Sequence, residues 1–374
     1  MENTYVGSYA GYTNRQGDYN VGMGARADFG NTNRSNNTFM GYDAYINNND
    51  IVALGFLVDA RGTGAVGIGS QVDVRSEYNI GIGYNAYDGL STVNGNNIYI
   101  GRSAIVQNNS DNNILLGRSA VADAAQSSIG MGYTTALSSD SSVVIGSLSS
   151  MSGTRSIGLG FGTSVSGSNS IAIGHGTTVS NNNEVYIGNS STTSIGGPVN
   201  WTATSDGRFK TNVSENVPGL DFIRGLRPVT YNFDLEKLSE FSCQDDLDFS
   251  EKKDVVYSGF IAQEVFDVSE ELGYDFSGVK VPENEYDMFG LRYAEFVVPM
   301  VKAMQELDEK VAEQADQIAV QKETIEQQEA LLKRYEDALN GYERRMAELE
   351  QKVTNVENKV ETESSIEAST EDQR

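Results

Sequence analysis

The chain has 374 residues, enough for two or three domains, and its 27 basic and 52 acidic residues give a formal net charge of −25. This charge argues against a nucleic-acid binder, which needs a basic surface, and no stretch approaches the ~18 consecutive apolar residues of a membrane-spanning helix. The lone cysteine, Cys243, excludes an internal disulfide and a cysteine-based zinc site, and the lone histidine, His175, excludes a histidine-rich metal cage. We therefore expect no metal and no cofactor.

Charge and glycine divide the chain near residue 200. Residues 1–204 contain 13 acids and 8 bases, a net charge of −5, together with most of the 39 glycines. Residues 205–374 contain 39 acids and 19 bases, a net charge of −20. The first residues have neither a basic region nor an apolar run, so no secretory signal is expected.

A short phrase recurs through the first part of the chain: an aliphatic residue, any residue, an apolar residue and then glycine. The closing glycines follow one another every 14 to 18 residues, and they are Gly7, Gly24, Gly41, Gly55, Gly69, Gly83, Gly101, Gly117, Gly132, Gly146, Gly160, Gly174 and Gly188. Alternation of period two predicts a short strand, glycine permits a sharp bend after it, and the intervening Asn, Ser and Asp residues favour turns. We predict a β-solenoid of thirteen coils over residues 1–195, about 60 Å long at the spacing of paired strands.

The repeat, written S/N-I-x-I-G-x-x-A, resembles the YadA-like head repeats of trimeric autotransporter adhesins, which also occur in bacteriophage tail fibres. The resemblance covers about half of the chain. It implies a left-handed parallel β-roll that forms a trimer through its walls.

Three features of the roll invite other interpretations. The glycines at 158, 160 and 162 belong to the repeat, and no GK[ST] follows them, so we do not expect a phosphate-binding loop. His175 is expected at a solvent-exposed or trimer-interface position. A tyrosine cluster in the early coils is interpreted either as packing within the walls or as a receptor surface on which sugars stack, and both remain open; its members are Tyr5, Tyr9, Tyr12, Tyr19, Tyr42, Tyr45, Tyr84 and Tyr87.

A heptad repeat runs without interruption over residues 297–360. All ten a positions are apolar, from Val297 and Met304 to Val353 and Val360, whereas three successive d positions are Gln314, Gln321 and Gln328. This predicts a coiled-coil helix of about 95 Å. We expect three strands because one chain must share the symmetry of the roll along its length. The acidic residues 361–374 are expected to be a disordered tail.

The junction between roll and coiled coil carries the sequence Ser205-Asp-Gly-Arg-Phe-Lys210. Three further motifs follow in order: Gly225-Leu-Arg-Pro-Val-Thr-Tyr231, Gly259-Phe-Ile-Ala-Gln-Glu-Val265 and Leu291-Arg-Tyr-Ala-Glu-Phe296. This ordered set resembles the C-terminal intramolecular chaperone domain of endosialidase tail spikes and other phage fibres. The resemblance implies a small α+β domain over 205–296, preceded by a neck or linker at 196–204.

The resembled family is a self-cleaving serine-type peptidase. By resemblance, Ser205 is the nucleophile, Lys210 is its general base, and the scissile bond joins Thr204 to Ser205. The residues are compatible with this chemistry, since a serine hydroxyl needs a base and His175 lies far away in the roll. The amine must be neutral to accept a proton, a state that burial or neighbouring cations favour.

Four neighbouring residues are candidates for supporting roles. We expect Asp206 and Arg208 to hold the shape of the loop, or to bridge two chains. Gln263 and Glu264 are expected either to contact the site or to cap strands.

Together these observations predict a homotrimeric phage tail fibre that is made in the host cytoplasm and joins the virion. Its expected partners are other tail proteins and a host-surface receptor, with carbohydrate as one candidate; no nucleic acid and no membrane insertion are expected. One alternative is a bacterial surface adhesin that retains its chaperone. Another is a glycan depolymerase, which needs paired carboxylates in a cleft. The acids of the roll are scattered in the sequence, at Asp43, Asp59, Asp73, Asp88 and Asp123.

Overall fold

A computed structural model describes residues 2–89, 95–241, 249–250, 252–285 and 287–371. Cys243 lies outside the described residues. The chain forms two compact units. The first contains residues 1–210, 228–259 and 281–289, and the second contains residues 211–227, 260–280 and 290–374. The predicted chaperone domain at 205–296 is therefore divided between the two units.

Short strands make up the roll in the first unit. In chain order, the strands of the described residues are β1 (Thr4–Val6), β2 (Val21–Met23), β3 (Asp28–Phe29), β4 (Thr38–Met40), β5 (Tyr45–Ile46), β6 (Val52–Phe56), β7 (Asp59–Ala60), β8 (Val66–Ser70), β9 (Asp73–Val74), β10 (Ile80–Tyr84), β11 (Tyr87–Asp88), β12 (Ile98–Ile100), β13 (Ile105–Gln107), β14 (Ile114–Leu116), β15 (Val121–Asp123), β16 (Ile129–Met131), β17 (Ala136–Leu137), β18 (Val143–Ile145), β19 (Ser150–Met151), β20 (Ile157–Leu159), β21 (Ser164–Val165), β22 (Ile171–Ile173), β23 (Thr178–Val179) and β24 (Val185–Ile187).

These strands form two parallel sheets. Sheet A contains thirteen described strands, β1, β2 and then each even-numbered strand from β4 to β24, and sheet B contains the eleven odd-numbered strands from β3 to β23. Each strand pairs with its counterpart one coil away, as Ile80 does with Val66 on one side and Ile98 on the other. The predicted β-solenoid of about thirteen coils is confirmed.

The closing glycines have a steric reason to recur. All thirteen have positive φ, and a Cβ built on Gly69 would lie 1.8 Å from the carbonyl oxygen of Gly83 in the next coil. From Gly7 to Gly160 any larger residue at the closing position would collide with the backbone of the next coil, so the coil spacing itself requires glycine at these corners.

The interior of the roll is built from the middle residue of each phrase. Gly81, Tyr99 and Leu115 are buried between the sheets, whereas the aliphatic residues on either side of them in the strands of sheet A point outward. A small residue in one coil makes room for a large one in the next, since the Tyr99 ring occupies the space in which a Cβ of Gly81 would lie, 2.6 Å away. The aliphatic pair of each coil thus forms an outer surface of sheet A.

Buried polar side chains form a ladder along one corner. The backbone N–H of Asn97 donates to the Asn79 Oδ1 at 2.8 Å, and the N–H of Asn113 donates to the Asn97 Oδ1 at 2.9 Å. Serine continues the same contact in later coils, where the N–H of Ser156 donates to the Ser142 Oγ at 3.2 Å. Each coil thereby supplies the acceptor for a buried donor of the next, which fixes the stacking register.

The remaining elements follow the roll. Two hairpins pair β25 (Val229–Tyr231) with β26 (Tyr257–Gly259), and β27 (Val279–Lys280) with β28 (Gly290–Leu291). The helices are α1 (Leu220–Gly225), α2 (Leu235–Phe241), α3 (Ala262–Glu271) and α4 (Val297–Glu371), and two 3-10 turns span Gly207–Phe209 and Tyr293–Phe296. This small α+β region and the long helix after it agree with the prediction.

An aromatic core holds the second unit together. Phe222 of α1 is fully buried and packs edge-to-face on Phe276, with ring centroids 4.9 Å apart, while Phe296 and Val265 complete the cluster. The Glu306 carboxylate of α4 accepts a 2.7 Å hydrogen bond from the backbone N–H of Leu220, which begins α1. The first turns of α4 are thus part of this core.

Helix α4 begins at Val297, as the heptads predict, but it continues to Glu371. The expectation of disorder over 361–374 is therefore wrong for residues 361–371; residues 372–374 lie outside the described residues. The hydroxyls of Ser364 and Ser365 donate to the carbonyl oxygen of Glu361 at 3.0 and 2.8 Å, so these two side chains are satisfied within the helix. None of the helices in the described part of the chain has the length and apolar character that a membrane span requires.

Candidate active site

Residues 193–211 are exposed apart from the half-buried Asp206, and they contain one 3-10 turn, Gly207–Phe209. The N–H of Phe209 donates to the Asp206 carbonyl at 3.1 Å, and the N–H of Lys210 donates to the Gly207 carbonyl at 3.2 Å. These bonds turn the chain back on itself. As a result, residues five apart in the sequence can place their side chains together.

The turn brings Ser205 and Lys210 into contact. The Lys210 Nζ donates a hydrogen bond of 2.8 Å to the Ser205 Oγ. Both residues are exposed in the single chain, as is Thr204, which supplies the carbonyl next to the serine. A hydroxyl and an amine at this distance are in range for proton transfer.

Asp206 and Arg208 are positioned on the same turn. The Asp206 Oδ1 accepts a 2.9 Å hydrogen bond from the N–H of Arg208 as the cap of the turn, and its Oδ2 accepts one of 2.6 Å from the Arg208 guanidinium. The guanidinium and then the backbone donor lower the pKa of Asp206, and the same carboxylate raises the pKa of Arg208. The guanidinium also lies 5.6 Å from the ring centroid of Phe209. This local network stiffens the turn that carries Ser205 and Lys210.

Gln263 and Glu264 lie in the first turn of α3, within the second unit. The Glu264 carboxylate accepts a 3.0 Å hydrogen bond from the Arg227 Nε and a second bond from the other end of the same guanidinium. This pair raises the pKa of Arg227. Glu264 therefore ties the segment before β25 to the start of α3.

The first unit also contains contacts between the end of the roll and segments of the predicted chaperone. The Lys252 Nζ donates to the carbonyl oxygen of Ser190 at 2.8 Å, and the Asn284 Nδ2 donates to the Asn181 Oδ1 at 3.0 Å. Burial lowers the pKa of Lys252. A groove of about 420 Å³ lies beside them, lined by Tyr186 and Ile187 of the last coil and by Leu238, Phe241 and Met288.

Sequence reasoning did not identify Lys252, Asn181 or Asn284. Asn181 belongs to the turn residues of the repeat, and the other two lie outside the quoted motifs, so no local signal distinguished them. Among the described residues, no group of three or more His, Cys, Asp or Glu side chains could hold a metal ion.

Comparison with known families adds one match. Residues 205–274 match the model of a peptidase family described as the chaperone of endosialidase. The match begins at Ser205 and includes Lys210, Gln263 and Glu264. Comparison with curated proteins gave no match. A β-solenoid followed by a segment similar to the endosialidase chaperone fits a tail fibre or tail spike with a C-terminal chaperone domain.

Proposed function

We propose that this chain is a homotrimeric phage tail fibre whose C-terminal region directs folding and then cuts the Thr204–Ser205 bond. The observation that carries the proposal is the 2.8 Å contact between the Lys210 Nζ and the Ser205 Oγ, at the first residue of the segment that matches the chaperone family. Attachment to other tail proteins and to a host-surface receptor belongs to the same proposal.

The cleavage proceeds in two steps. A neutral Lys210 amine accepts the Ser205 hydroxyl proton as the Oγ bonds to the carbonyl carbon of Thr204. The C–N bond then breaks, and the amino group of Ser205 leaves with the proton that Lys210 returns. Water hydrolyses the resulting ester, which frees the Thr204 carboxylate and restores the Ser205 hydroxyl. The attacked carbonyl is adjacent in the chain, so no substrate has to be captured.

Two exposed apolar surfaces support assembly into a trimer. The outer face of sheet A carries aliphatic residues that include Ile100, Ile145 and Ile187, which are 37%, 42% and 40% exposed. Along α4, every a-position residue is more than half exposed, from Val297 to Val360. Contiguous apolar surfaces of this length mark interfaces, and a closed symmetric assembly covers both with copies of the same chain.

Assembly also explains when the bond is cut. In a single chain the Ser205–Lys210 pair is exposed to water, whereas the proposed reaction needs a neutral amine, a state that burial favours. Neighbouring chains would cover the pair and favour the neutral amine. Parallel solenoids fold slowly and expose strand edges on the way, so a trimeric module that aligns three chains and leaves only after folding is useful to a fibre.

Denaturing gel electrophoresis of the purified protein tests the reaction. The wild type should give fragments of 204 and 170 residues (374 − 204 = 170), and Ser205→Ala should give one intact chain. Lys210→Arg should also stay intact because arginine remains protonated. Ser214→Ala and Lys253→Arg are matched controls in exposed positions and should be cut normally.

The position of the new terminus gives a second test. Sequencing the smaller fragment should yield Ser205 as its first residue. An intact wild-type chain in a folded trimer, or efficient cleavage of Lys210→Arg, would contradict the proposed dyad.

A further inference from the structure

A surface pocket of about 440 Å³ lies at the first three coils of the roll. It is lined by Tyr9, Tyr12, Arg26, Asp28, Phe29, Asp43 and Tyr45. Only Phe29 is buried, and it packs edge-to-face on Phe39 with centroids 4.7 Å apart, so the pocket has a rigid aromatic floor. Its volume is in the range of small-molecule sites.

Strand register assembles the walls of this pocket. Tyr9, Arg26 and Asp43 occupy the second position after the closing glycine in three successive coils, and backbone hydrogen bonds from Arg26 to Ser8 and from Asp43 to Ala25 stack these turns. Asp28 and Tyr45 are direct partners on adjacent strands of sheet B. Residues 9, 26, 28, 43 and 45 therefore meet at one place although they are spread over 37 positions of the chain.

The pocket combines exposed aromatic rings with fixed polar groups. Tyr9 and Tyr12 are 68% and 75% exposed, with their rings edge-to-face at 5.9 Å. The Arg26 guanidinium lies 3.4 Å from the Asp43 carboxylate. The Asp28 carboxylate accepts hydrogen bonds from the N–H and the hydroxyl of Thr13, at 2.9 and 2.7 Å, which hold both oxygens in place while each keeps a second lone pair.

We propose that this pocket binds a neutral saccharide. A sugar ring has an apolar C–H face, which packs on an exposed tyrosine, and a rim of hydroxyls, which donate to carboxylates and accept from a guanidinium. The charged groups of the pocket, Arg26 with Asp28 and Asp43, sum to −1, which disfavours an acidic sugar. The proposal rests on the attachment function proposed above and names the ligand class of that surface.

The same chemistry continues along sheet B. The outward position that holds Asp28 and Tyr45 is occupied in the next three coils by Asp59, Asp73 and Tyr87, all in register. Arg61 pairs with Asp59 and lies 5.3 Å from the Tyr45 ring centroid, and Arg75 pairs with Asp73.

The outward positions 28, 45, 59, 73 and 87 of sheet B form a polar and aromatic track that ends at Tyr87. In the following coils the same outward position holds Ile105, Val121 and Ala136. From Asp28 to Tyr87 the track spans four coil steps, about 19 Å at the usual strand spacing. An oligosaccharide lying along the roll axis therefore fits better than a single sugar.

A printed array of neutral and acidic oligosaccharides, probed with the full chain, tests the proposal. The wild type should bind a set of neutral oligosaccharides, and Tyr12→Ala and Arg26→Ala should each weaken binding by about tenfold, as the loss of one stacked ring or one charged hydrogen bond does. Tyr78→Ala is the matched control, since Tyr78 is 58% exposed outside the pocket, and it should bind like the wild type. Circular dichroism confirms that each variant is folded.

The outcomes separate this proposal from the attachment function. If the wild type adsorbs to host cells through a protease-sensitive receptor and binds no neutral saccharide, the pocket proposal is overturned while attachment stands. Binding of saccharides that both pocket variants retain also overturns it. If the wild type binds neither saccharides nor host cells, the attachment function fails with it.

Discussion

The roll and helix α4 solve the problem of burying apolar surface in opposite ways. The roll has a continuous core inside one chain, with Phe39, Tyr99 and Leu115 at or near zero exposure. Helix α4 has its apolar heptad positions more than half exposed over nearly its whole length. One region is therefore stable in part without partners, whereas the other gains its stability only on association.

This difference agrees with the division of labour proposed for the two regions. The region that needs partners is the one able to bring chains together, and the self-contained region is the one that remains after cleavage. Substitutions in each region can break this contrast.

Introducing charge at the a positions of α4, which together with the d positions form the seam of the coiled coil, should abolish assembly into trimers. Ile318→Glu with Ile325→Glu places two carboxylates at a positions, where trimer formation would bury them unpaired. We expect monomers in sedimentation analysis and loss of the 204- and 170-residue fragments, because the Ser205–Lys210 pair stays uncovered. Ala330→Glu with Gln351→Glu adds the same two charges at f positions outside the seam and should leave both readouts unchanged. A trimeric, cleaved double variant would refute the role assigned to α4.

The closing glycine Gly69 should tolerate substitution far less than Gly176, a glycine of the roll with open space around it. A Cβ on Gly69 would lie 1.8 Å from the carbonyl oxygen of Gly83, whereas Gly176, at φ +63°, has no atom within 4 Å of the equivalent position. Gly69→Ala should lower the free energy of unfolding by about 3–5 kcal/mol, and Gly176→Ala by about 1 kcal/mol from left-handed strain alone. Denaturant unfolding of the cleaved roll measures both. Equal effects would contradict the packing reason given for the repeat.

These glycines also show which parts of the fold a sequence can predict. The need for glycine at the corner recurs in thirteen coils, so the position of each corner and the number of coils could be predicted from the spacing of the glycines alone. The 14-residue spacing also relates Asp59 to Asp73 and Arg61 to Arg75, and sequence reasoning missed this. Strand register aligns the two aspartates on adjacent coils, each paired with its arginine, although the acids of the roll had been described as scattered.

The candidate site was predictable only in part. The motif predicts Ser205 and Lys210 as a pair, and a 3-10 turn accounts for their contact. Lys252 with Ser190 and Asn284 with Asn181 were not predictable, because these single contacts join segments 62 and 103 positions apart and have no repeat behind them. The end of α4 was missed because composition favoured disorder, whereas hydroxyl-to-carbonyl bonds such as Ser365 to Glu361 accommodate the polar residues in a helix.

The stability of the roll should depend on pH through Asp88. This carboxylate is buried and accepts hydrogen bonds from the N–H groups of Arg75 and Ser76 and from the Asn79 side chain, and burial raises its pKa from 3.8 to about 6. The folded roll thus holds this proton more tightly than the unfolded chain. The contribution of Asp88 to stability is greatest below about pH 4 and falls by about 3 kcal/mol as the pH rises through about 6.

Comparing Asp88→Asn with the wild type isolates this effect. Unfolding of the cleaved roll between pH 4 and 7 should show a smaller loss of stability with rising pH in the variant. Asp140→Asn changes an exposed carboxylate, and its free energy of unfolding should vary with pH as that of the wild type does. Identical pH profiles for the wild type and Asp88→Asn would contradict the assignment.

The smallest effect on stability is expected at the contact between the roll and the C-terminal segment that cleavage would release. The Lys252 Nζ donates to the Ser190 carbonyl oxygen at 2.8 Å, so Lys252→Ala removes one partly buried, charged hydrogen bond from the end of the roll. Hydrogen exchange of peptides covering residues 177–190, measured in the uncut Ser205→Ala background, should be about fivefold faster, which corresponds to about 1 kcal/mol of local stability. Lys253→Ala, the exposed neighbour, should leave this exchange unchanged.

The cleaved roll gives a second comparison because it no longer contains residue 252. Its last coil should exchange at the faster rate seen for the Lys252→Ala precursor. Equal protection of the last coil in the precursor, in its Lys252→Ala variant and in the cleaved roll would contradict a stabilising contact between Lys252 and the end of the roll.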